Sequence, residues 1–367
     1  MKKIFINGRF FTQKITGEQR YALEMISALD ELLSRSSSNA ELEWCILLPK
    51  KMKAYLPIKK YENIKIKKVG FLKGHLWEQL ELPFYTKNNL LINFCDMAPI
   101  LKKNQVVTIH DMAIMRYPEF YTKLFRYWHL FVYKCLARRN ITFCTVSEFS
   151  KKEINKYLHV EFDKINIIYP ACAAHLNNSK IYDTDFIKKH NIDLNKNILL
   201  AVSSLSKNKN FKSIIEAIKY VNVDNLELVI AGGANSKEFA NKNTHEYLKD
   251  AKYVGYISDE ELITLYKIAN CFVYPSFYEG FGLPPIEAMT YGCPVIVSKQ
   301  TALPEVCGEN AIYCDPLSIK DIARKIEQVL LDKNLQKEFY LKGKEHAKKY
   351  SYKISADKYF KLIMELC

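Results

Sequence analysis

The sequence predicts an α/β chain of two doubly wound, Rossmann-like domains, and three observations predict it. Short apolar runs alternate with amphipathic segments throughout, the pattern of parallel strands covered by helices on both faces. The alternation is run through twice, with a polar, weakly periodic stretch between the passes. The chain's 367 residues, 49% of them hydrophobic, exceed one ordinary core and suffice for two.

In the first pass KIFIN (3–7), EWCILLP (43–49), NLLINF (89–94), QVVTIHD (105–111), ITFCTVS (141–147) and INIIYP (165–170) read as strands. Between the first two, GEQRYALEMISALDELL sets apolar residues near every third or fourth position, as one buried face of a helix requires. The second pass supplies NILLAVSS (197–204), LELVIAGG (226–233), AKYVGY (251–256), CFVYPS (271–276), PVIVS (294–298) and AIYCDP (311–316). Residues 318–345 read as helical, and the tail KEHAKKYSYKISADKYFKLIMELC reads as a closing helix. The boundary falls in PACAAHLNNSKIYDTDF (170–186), giving domains over 1–172 and 173–345 and a final helix over 346–367. In such folds ligands collect at the carboxyl ends of the strands.

Composition excludes several function classes. No run of about eighteen apolar residues exists, so no transmembrane helix is expected. The opening MKKIFINGRFF lacks a long apolar region with a small-residue cleavage site; it reads as a first strand, and the expected location is cytoplasmic. None of the ten cysteines forms a C-x-x-C pair, and Cys45, Cys144 and Cys271 sit in strand-like runs, as reduced core thiols would. No DxD-like pair or Cys/His/Asp cluster has metal-ligand spacing in a site context, so neither a metal nor a cofactor is expected. The net charge of +14 is uneven: residues 1–170 carry 28 Lys and Arg against 16 Asp and Glu, densest in PKKMKAYLPIKKYENIKIKKVGFLK (49–73). An anionic membrane face suits that excess, solvated lysines are the plain alternative, and nucleic acid is not an expected partner. The aromatic segment YTKLFRYWHLFVYKCLA (121–137) has helical spacing. Core packing explains it; so does a helix lining a cleft or touching a membrane, with Arg126, Lys134, Arg138 and Arg139 toward lipid.

The chemistry concentrates in YPSFYEGFGLPPIEAMTYGCPVIVS (274–298), where Glu279 and Glu287 stand eight positions apart around GFGLPP. Pro285 fits a first helical position, IEAMTYG a short helix stopped by Gly292, and PVIVS the next strand. Gly280 and Gly282 let the backbone turn tightly, so N–H groups near Phe281 and Leu283 can face a diphosphate at the helix's positive end. Glu287, in the first turn, would reach a diol such as a ribose, and Glu279 whatever lies beyond the diphosphate.

This arrangement resembles the E-x7-E signature of retaining glycosyltransferases of family 4, which have the GT-B architecture. The resemblance extends through VGYISDEELITLYKIANCFVYPS (254–276), LPEVCGENAIYCDP (303–316) and SSLSKNKNFKSIIEAI (203–218). In the first half TGEQRYALEMISAL (16–29), TIHDMAIMRYPEFY (108–121) and TVSEFSKKEI (145–154) also match. It implies two domains facing across a cleft, acceptor on the first, donor on the second, and the last helix crossing back to the first.

Residue by residue, the resemblance implies that Lys209 neutralises diphosphate charge. Ser204 stands where many members carry an arginine, which leaves Lys209 with Lys207 or Ser203 for that work. Glu279 would hold the donor sugar's hydroxyls, and His110 would contact that sugar or shape the reacting centre. Asp111 orients the histidine, binds acceptor, or caps the following segment. Thr16 and Gly17 form a small-residue loop for the diphosphate or a plain turn, and Gln19 and Arg20 face acceptor or solvent. Gly255 and Tyr256 border the nucleobase or simply end a strand, and Glu305 stabilises a helix start.

The expected activity is retaining, metal-independent transfer of a hexose-type sugar from a nucleotide diphosphate donor (GDP-mannose, a UDP-sugar or a dTDP-sugar). The acceptor would be a carbohydrate, lipid-linked if HLWEQLELPFY (75–85) marks the surface-polysaccharide branch that it resembles. A phosphorylase or a nucleotide-sugar epimerase of the same architecture is the alternative, and a non-catalytic sugar-nucleotide-binding protein the alternative of another class.

Overall fold

The computed structural model describes residues 2–35, 42–51, 53, 55–56, 59–173, 182–204, 206–233 and 251–367. Residues 174–181 of the expected boundary, Leu205, and Met52, Ala54, Pro57 and Ile58 of the basic run lie outside the described residues. The chain divides into two units, Met1–Pro170 with Ser351–Cys367, and Ala171–Tyr350.

The first unit is built on seven strands: β1 (Lys2–Asn7), β2 (Leu42–Pro49), β3 (Ile64–Val69), β4 (Leu90–Asn93), β5 (Gln105–Thr108), β6 (Thr142–Thr145) and β7 (Ile165–Ile167). Their order is β3-β2-β1-β4-β5-β6-β7 and every neighbouring pair is parallel. Strand order therefore reverses between β1 and β4, and the loops leaving those two strands diverge to opposite faces and open a crevice. The expected doubly wound class is borne out. The edge strand β3 is an addition: IKIKKV buries Ile64 and leaves four of its six side chains lysine or valine at the margin, so its apolar signal was hidden inside the basic run. Lysines on such an edge also discourage pairing with another chain.

Helix α1 (Gly17–Arg35) buries Tyr21, Met25, Ile26, Leu29 and Leu33, one apolar face at helical spacing. Helix α2 (74–86) passes through a π turn at Trp77–Glu81 that seats Trp77 fully inside, its Nε1 donating to the Val69 carbonyl at 3.0 Å. Then come α3 (Ala113–Arg116), α4 (Lys123–Ala137) and α5 (Glu148–Leu158), the last capped by Ser147, whose Oγ accepts from Ser150 N at 2.9 Å. The C-terminal helix Tyr352–Leu366 packs on α1 in this unit, with Tyr352 against Tyr21 and Tyr359 against Phe94. It is tied down where Ser355 Oγ donates to the Tyr169 carbonyl at 2.6 Å. The expected tail helix was too long at its front: KEHA ends the preceding helix, and Ser351 caps a new one.

The second unit has six parallel strands: β8 (Asn197–Val202), β9 (Leu226–Ala231), β10 (Lys252–Gly255), β11 (Cys271–Tyr274), β12 (Val295–Ser298) and β13 (Ile312–Cys314). Their order is β10-β9-β8-β11-β12-β13, reversing between β8 and β11. Leu199, Ala201, Ile230, Val273 and Ile296 pack against Ile214, Ile322 and Ile326 on one face. Those two helix surfaces belong to α7 (Phe211–Ile218) and α11 (Ile319–Leu331), which follow α6 (Thr184–Lys189) and precede α12 (Lys333–Ala347). Between them lie α8 (Asp259–Ile268), α9 (Leu283–Thr290) and α10 (Leu303–Cys307). All ten cysteines are free, and Cys45, Cys144 and Cys271 are buried.

Helix α9 starts two residues earlier than the sequence suggested. Gly282 adopts φ +101°, Leu283 opens the helix, and Pro284 and Pro285 fill its second and third positions. Neither proline needs an N–H there, since the first turn has no intrahelical acceptor to offer. Glu287 consequently lies in the second turn rather than the first.

Candidate functional site

The loops leaving β8 and β11, the two strands beside the second unit's reversal, meet. After β8 a 3-10 turn (Lys207–Lys209) ends on Asn210, in the left-handed region at φ 59°. Asn210 is buried, and its Nδ2 donates to the carbonyls of Pro275 at 3.1 Å and Pro316 at 2.8 Å. Phe277 N and Ser276 Oγ both donate to the Asn208 carbonyl at 2.8 Å. These bonds fix one loop on the other and bring the Lys209 ammonium to 2.6 Å from Glu279 Oε1 and 3.1 Å from the Tyr274 hydroxyl.

Burial works against the Lys209 charge, but Glu279 and then Tyr274 outweigh it and hold its pKa above the ordinary lysine value. Burial, then the Glu279 charge, also pushes the Tyr274 hydroxyl up, so it stays a neutral donor. The ammonium has three donors, and two partners, Glu279 and Tyr274, account for two of them among the described residues. Glu279 N donates to Thr301 Oγ1 at 3.2 Å, and Thr301 itself takes φ 61°.

Gly280, Phe281, Gly282 and Leu283 run directly from Glu279 into α9. Glu287 is 7% exposed and accepts from the Tyr266 hydroxyl at 3.1 Å. Burial, followed by the nearby Glu287 charge, raises Tyr266 well above an ordinary tyrosine, so it remains a donor to the carboxylate. On the other side of β8, Gly232 N donates to the Gly255 carbonyl at 2.8 Å. A Cβ on Gly232, at φ +143°, would overlap the Ser203 carbonyl, so only glycine lets these strand ends close up. Tyr256 is largely exposed beside Gly233, and Ser204 Oγ lies 3.3 Å from Ser206 Oγ.

In the first unit, His110 follows β5 with both ends held by the β4 exit. Its N donates to Asp96 Oδ1 at 2.8 Å and its Nε2 to the Phe94 carbonyl at 2.8 Å, while its ring meets Tyr21 edge-on at 4.9 Å. Asp111 Oδ1 accepts from Ala113 N at 2.8 Å, a turn bond to the first residue of α3, whose N-cap is Met112. Gln19 is buried, accepts from Thr16 N at 3.0 Å and donates to Gln13 Oε1 at 3.2 Å; Arg20 N donates to the Thr16 carbonyl at 3.0 Å. Gly17 is exposed at the first position of α1.

At the first unit's reversal a polar cavity of about 180 Å³ is lined by Arg9, Glu18, Asp96, Asp111, Tyr121 and His129, among others. Burial, then the charges of Asp96 and Asp111, push the Glu18 carboxyl well above the usual carboxylate range. Burial lowers His129, despite a hydrogen bond from its Nδ1 to the Phe125 carbonyl at 2.9 Å. Neutral donors and carboxylates thus face one small chamber. Among the described residues no group of three or more His, Cys, Asp or Glu could hold a metal ion.

The structure brings Lys209, Glu279 and the Gly280–Leu283 backbone to one place, with Glu287 one helix turn further on. It holds Gly255 and Tyr256 at a neighbouring strand end, and His110, Asp111, Gln19 and Arg20 in the first unit. Sequence reading missed Tyr274, Tyr266, Asn210 and Thr301 in the second unit, and Glu18 and Asp96 in the first unit's cavity. Tyr274 was within reach, since it ends the strand that carries the motif. Asn210 was not, because its role depends on a left-handed backbone and on Pro316, far along the chain.

Residues 183–346 match the family described as glycosyl transferases group 1. The O-antigen chain mannosyltransferase B of Escherichia coli is 30% identical over 257 residues, 67% of this chain and 66% of that protein. The O-antigen chain mannosyltransferase RfbU of Salmonella typhimurium is 33% identical over 235 residues, 62% of each chain. The matched part of the chain thus spans about two thirds of the length of these relatives. Among solved structures, a sucrose-phosphate synthase from Thermosynechococcus elongatus superposes with a TM-score of 0.74 at 18% identity, covering 100% of this chain and 99% of that one. WaaG, a glycosyltransferase involved in lipopolysaccharide biosynthesis, gives 0.71 at 14%, covering 98% of each chain. These likenesses show a shared fold.

Proposed function

Residues 183–346 belong to the glycosyl transferases group 1 family, and from that premise we propose that the protein transfers mannose, with retention, from a nucleotide diphosphate donor to a carbohydrate acceptor in surface polysaccharide assembly. The relatives' names support mannose and O-antigen. The observation that carries the reaction is the contact of Lys209 with Glu279 and Tyr274 at the β8/β11 reversal, directly before the positive end of α9.

In this reading the diphosphate lies along the Gly280–Leu283 backbone, where N–H groups at a helix start favour anions. Lys209 turns its remaining donor to the departing phosphate and stabilises the charge that develops there. Glu279 accepts from the sugar's hydroxyls and Glu287 from the ribose diol. The bond from the anomeric carbon to phosphate oxygen breaks, the bond to the acceptor oxygen forms on the same face, and the acceptor proton passes to the leaving phosphate. The first unit's polar cavity, with Asp111 on its wall, takes the acceptor sugar. A lipid-linked acceptor and metal independence belong to the same proposal.

A thermal-shift series with GDP, UDP, dTDP and CDP tests it first, because a ligand bound only by the folded form raises the Tm. One base is expected to stand out, and its mannose conjugate to be consumed with an α-anomer product from an α-anomer donor. Equal, negligible shifts with all four nucleotides, or an inverted product, would remove the proposal.

A further inference from the structure

Two helices of the first unit present apolar side chains outward. On α2, Leu76, Leu80 and Phe84 recur every four residues and are 61%, 61% and 69% exposed. On α4, Leu124, Tyr127 and Phe131 share one face and are 83%, 65% and 55% exposed. Solvent-facing stripes on two helices are unusual for a surface that water alone covers. The helices are neighbours: His75 lies edge-on to Trp128 at 5.5 Å, and Trp128 lies 6.1 Å from Phe131. The opposite side of α4 is accounted for, since Phe125, His129 and Tyr133 line the polar cavity.

The charge around these stripes is of one sign. From Phe120 to Ser147 the chain has no Asp or Glu but carries Lys123, Arg126, Lys134, Arg138 and Arg139. The two acids of α2 are occupied: Glu78 by Arg9, and Glu81 by the N–H groups of Phe71 and Leu72 at 3.0 Å. At the end of α4 an open basin of about 630 Å³ is lined by Ile100, Lys103, Cys135, Arg138, Arg139 and Asn140. Ile100 N donates to Gln79 Oε1 at 2.9 Å, so the basin's rim is joined to α2 as well.

We propose that the outer faces of α2 and α4, with this basin, form one docking surface for an anionic phospholipid bilayer. The apolar side chains enter the acyl boundary, as in helices that lie in the plane of a membrane, and Lys103, Arg138 and Arg139 take headgroup phosphates. Among the described residues no helix is long and apolar enough to cross a membrane, so the contact is peripheral. The inference stands apart from the transfer reading, because it concerns lipid and contains no sugar. It adds a consequence to that reading: α4 would separate the bilayer from the cavity that receives a lipid-linked sugar.

Co-sedimentation of the full chain with vesicles tests it, using phosphatidylcholine alone against phosphatidylcholine with one third phosphatidylglycerol. Binding is expected to the anionic vesicles and to weaken with salt. Each cationic side chain near the surface contributes about fivefold in partition coefficient, so Lys134→Gln with Arg138→Gln should lower it roughly 25-fold. Leu80→Ser with Phe131→Ser should abolish the binding that survives high salt. Lys337→Gln with Lys349→Gln, an equal charge loss on the second unit, should change nothing, and all variants should keep the wild-type Tm. The proposal is overturned if the wild type stays in the supernatant with anionic vesicles, or if the control pair loses as much as the α4 pair. It is also overturned if, without vesicles, the chain forms a dimer that Leu80→Ser dissolves, since a second copy would then cover the stripe.

Discussion

Each unit reverses its strand order once, and near each reversal a cation, buried at Arg9 and part-buried at Lys209, faces a buried carboxylate, yet the two pairs are built differently. After β1, Arg9 Nε donates to Glu78 Oε1 at 2.9 Å; the same oxygen accepts from Asn7 Nδ2 at 2.8 Å, and Oε2 lies 3.2 Å from His75 Nδ1. Burial pushes the Glu78 carboxyl up, but Arg9, then His75 and Asn7, outweigh it and hold it below the ordinary carboxylate value. After β8, Lys209 and Glu279 have each other and Tyr274, and they lie against a helix start with glycines around it. A carboxylate supplied from three sides is closed and serves to hold a loop. A carboxylate supplied by one flexible ammonium and one hydroxyl keeps lone pairs, and its lysine a donor, which the proposed reaction assigns to the sugar's hydroxyls and the phosphate. The pair in the second unit is therefore the one suited to chemistry.

The widest separation between the two pairs should come from Lys209→Ala. Removing a positioned cation from a developing phosphate charge should lower kcat by about a thousandfold. Leaving Glu279 buried alone should also cost roughly 3–5 kcal/mol in stability. Activity and urea unfolding on the same preparation read both, and a variant that keeps its kcat breaks the contrast. Lys209 makes this contribution below the ordinary lysine pKa and loses it only as pH rises through its elevated folded value, so no loss is expected between neutral and mildly alkaline pH.

Glu78→Gln should destabilise by about 3 kcal/mol, because Arg9 is left buried without its charge partner, while kcat of the folded fraction stays near wild type. Its folded pKa is depressed, so the stabilisation is present above the ordinary carboxylate value of about 4.3 and fades as pH falls. The gap between variant and wild type in urea midpoint should close in acid. A gap constant with pH would mean that the pair's charge is irrelevant.

Smaller again, Glu287→Gln should weaken nucleotide binding by about 2 kcal/mol, roughly thirtyfold, with kcat little changed. Titration calorimetry decides this, and a loss of turnover at unchanged affinity would exchange the roles of the two glutamates. Tyr266→Phe should have about half that effect, near 1 kcal/mol, by freeing the Glu287 carboxylate from its hydroxyl. At the bottom of the scale, a chelator such as EDTA should leave activity unchanged. Activity lost to it and recovered with a divalent ion would show that Lys209 is not the main neutralising charge.

The strands were legible because parallel strands buried on both faces are written as unbroken apolar runs: NILLAV and CFVY need no partner to be recognised. IKIKKV was not, because an edge strand buries little and its lysines looked like part of a basic tract. The Glu279 to Glu287 spacing was legible for a local reason, since eight residues of loop and helix carry their own turn chemistry. Its exact phase was not, because Gly282's left-handed backbone moved the helix start to Leu283. The helix 121–137 shows the same division. Its spacing announced a helix, while its side chains proved to serve three environments: Val132 and Leu136 the core, His129 the polar cavity, and Leu124 and Phe131 the outside.

By itself, then, the sequence determined what depends on neighbours along the chain: where strands and helices lie, that two sheets form, and that a glycine-rich turn precedes α9. Only the tertiary structure decided which distant groups meet, namely Lys209 with Glu279 across 70 positions, Asn210 with Pro316, and Arg9 with Glu78. The reason is physical. Periodicity and turn propensity are set by a few adjacent residues, whereas the contact of two loops is set by the order in which strands pair, and the reversal at β8/β11 is written in no single segment.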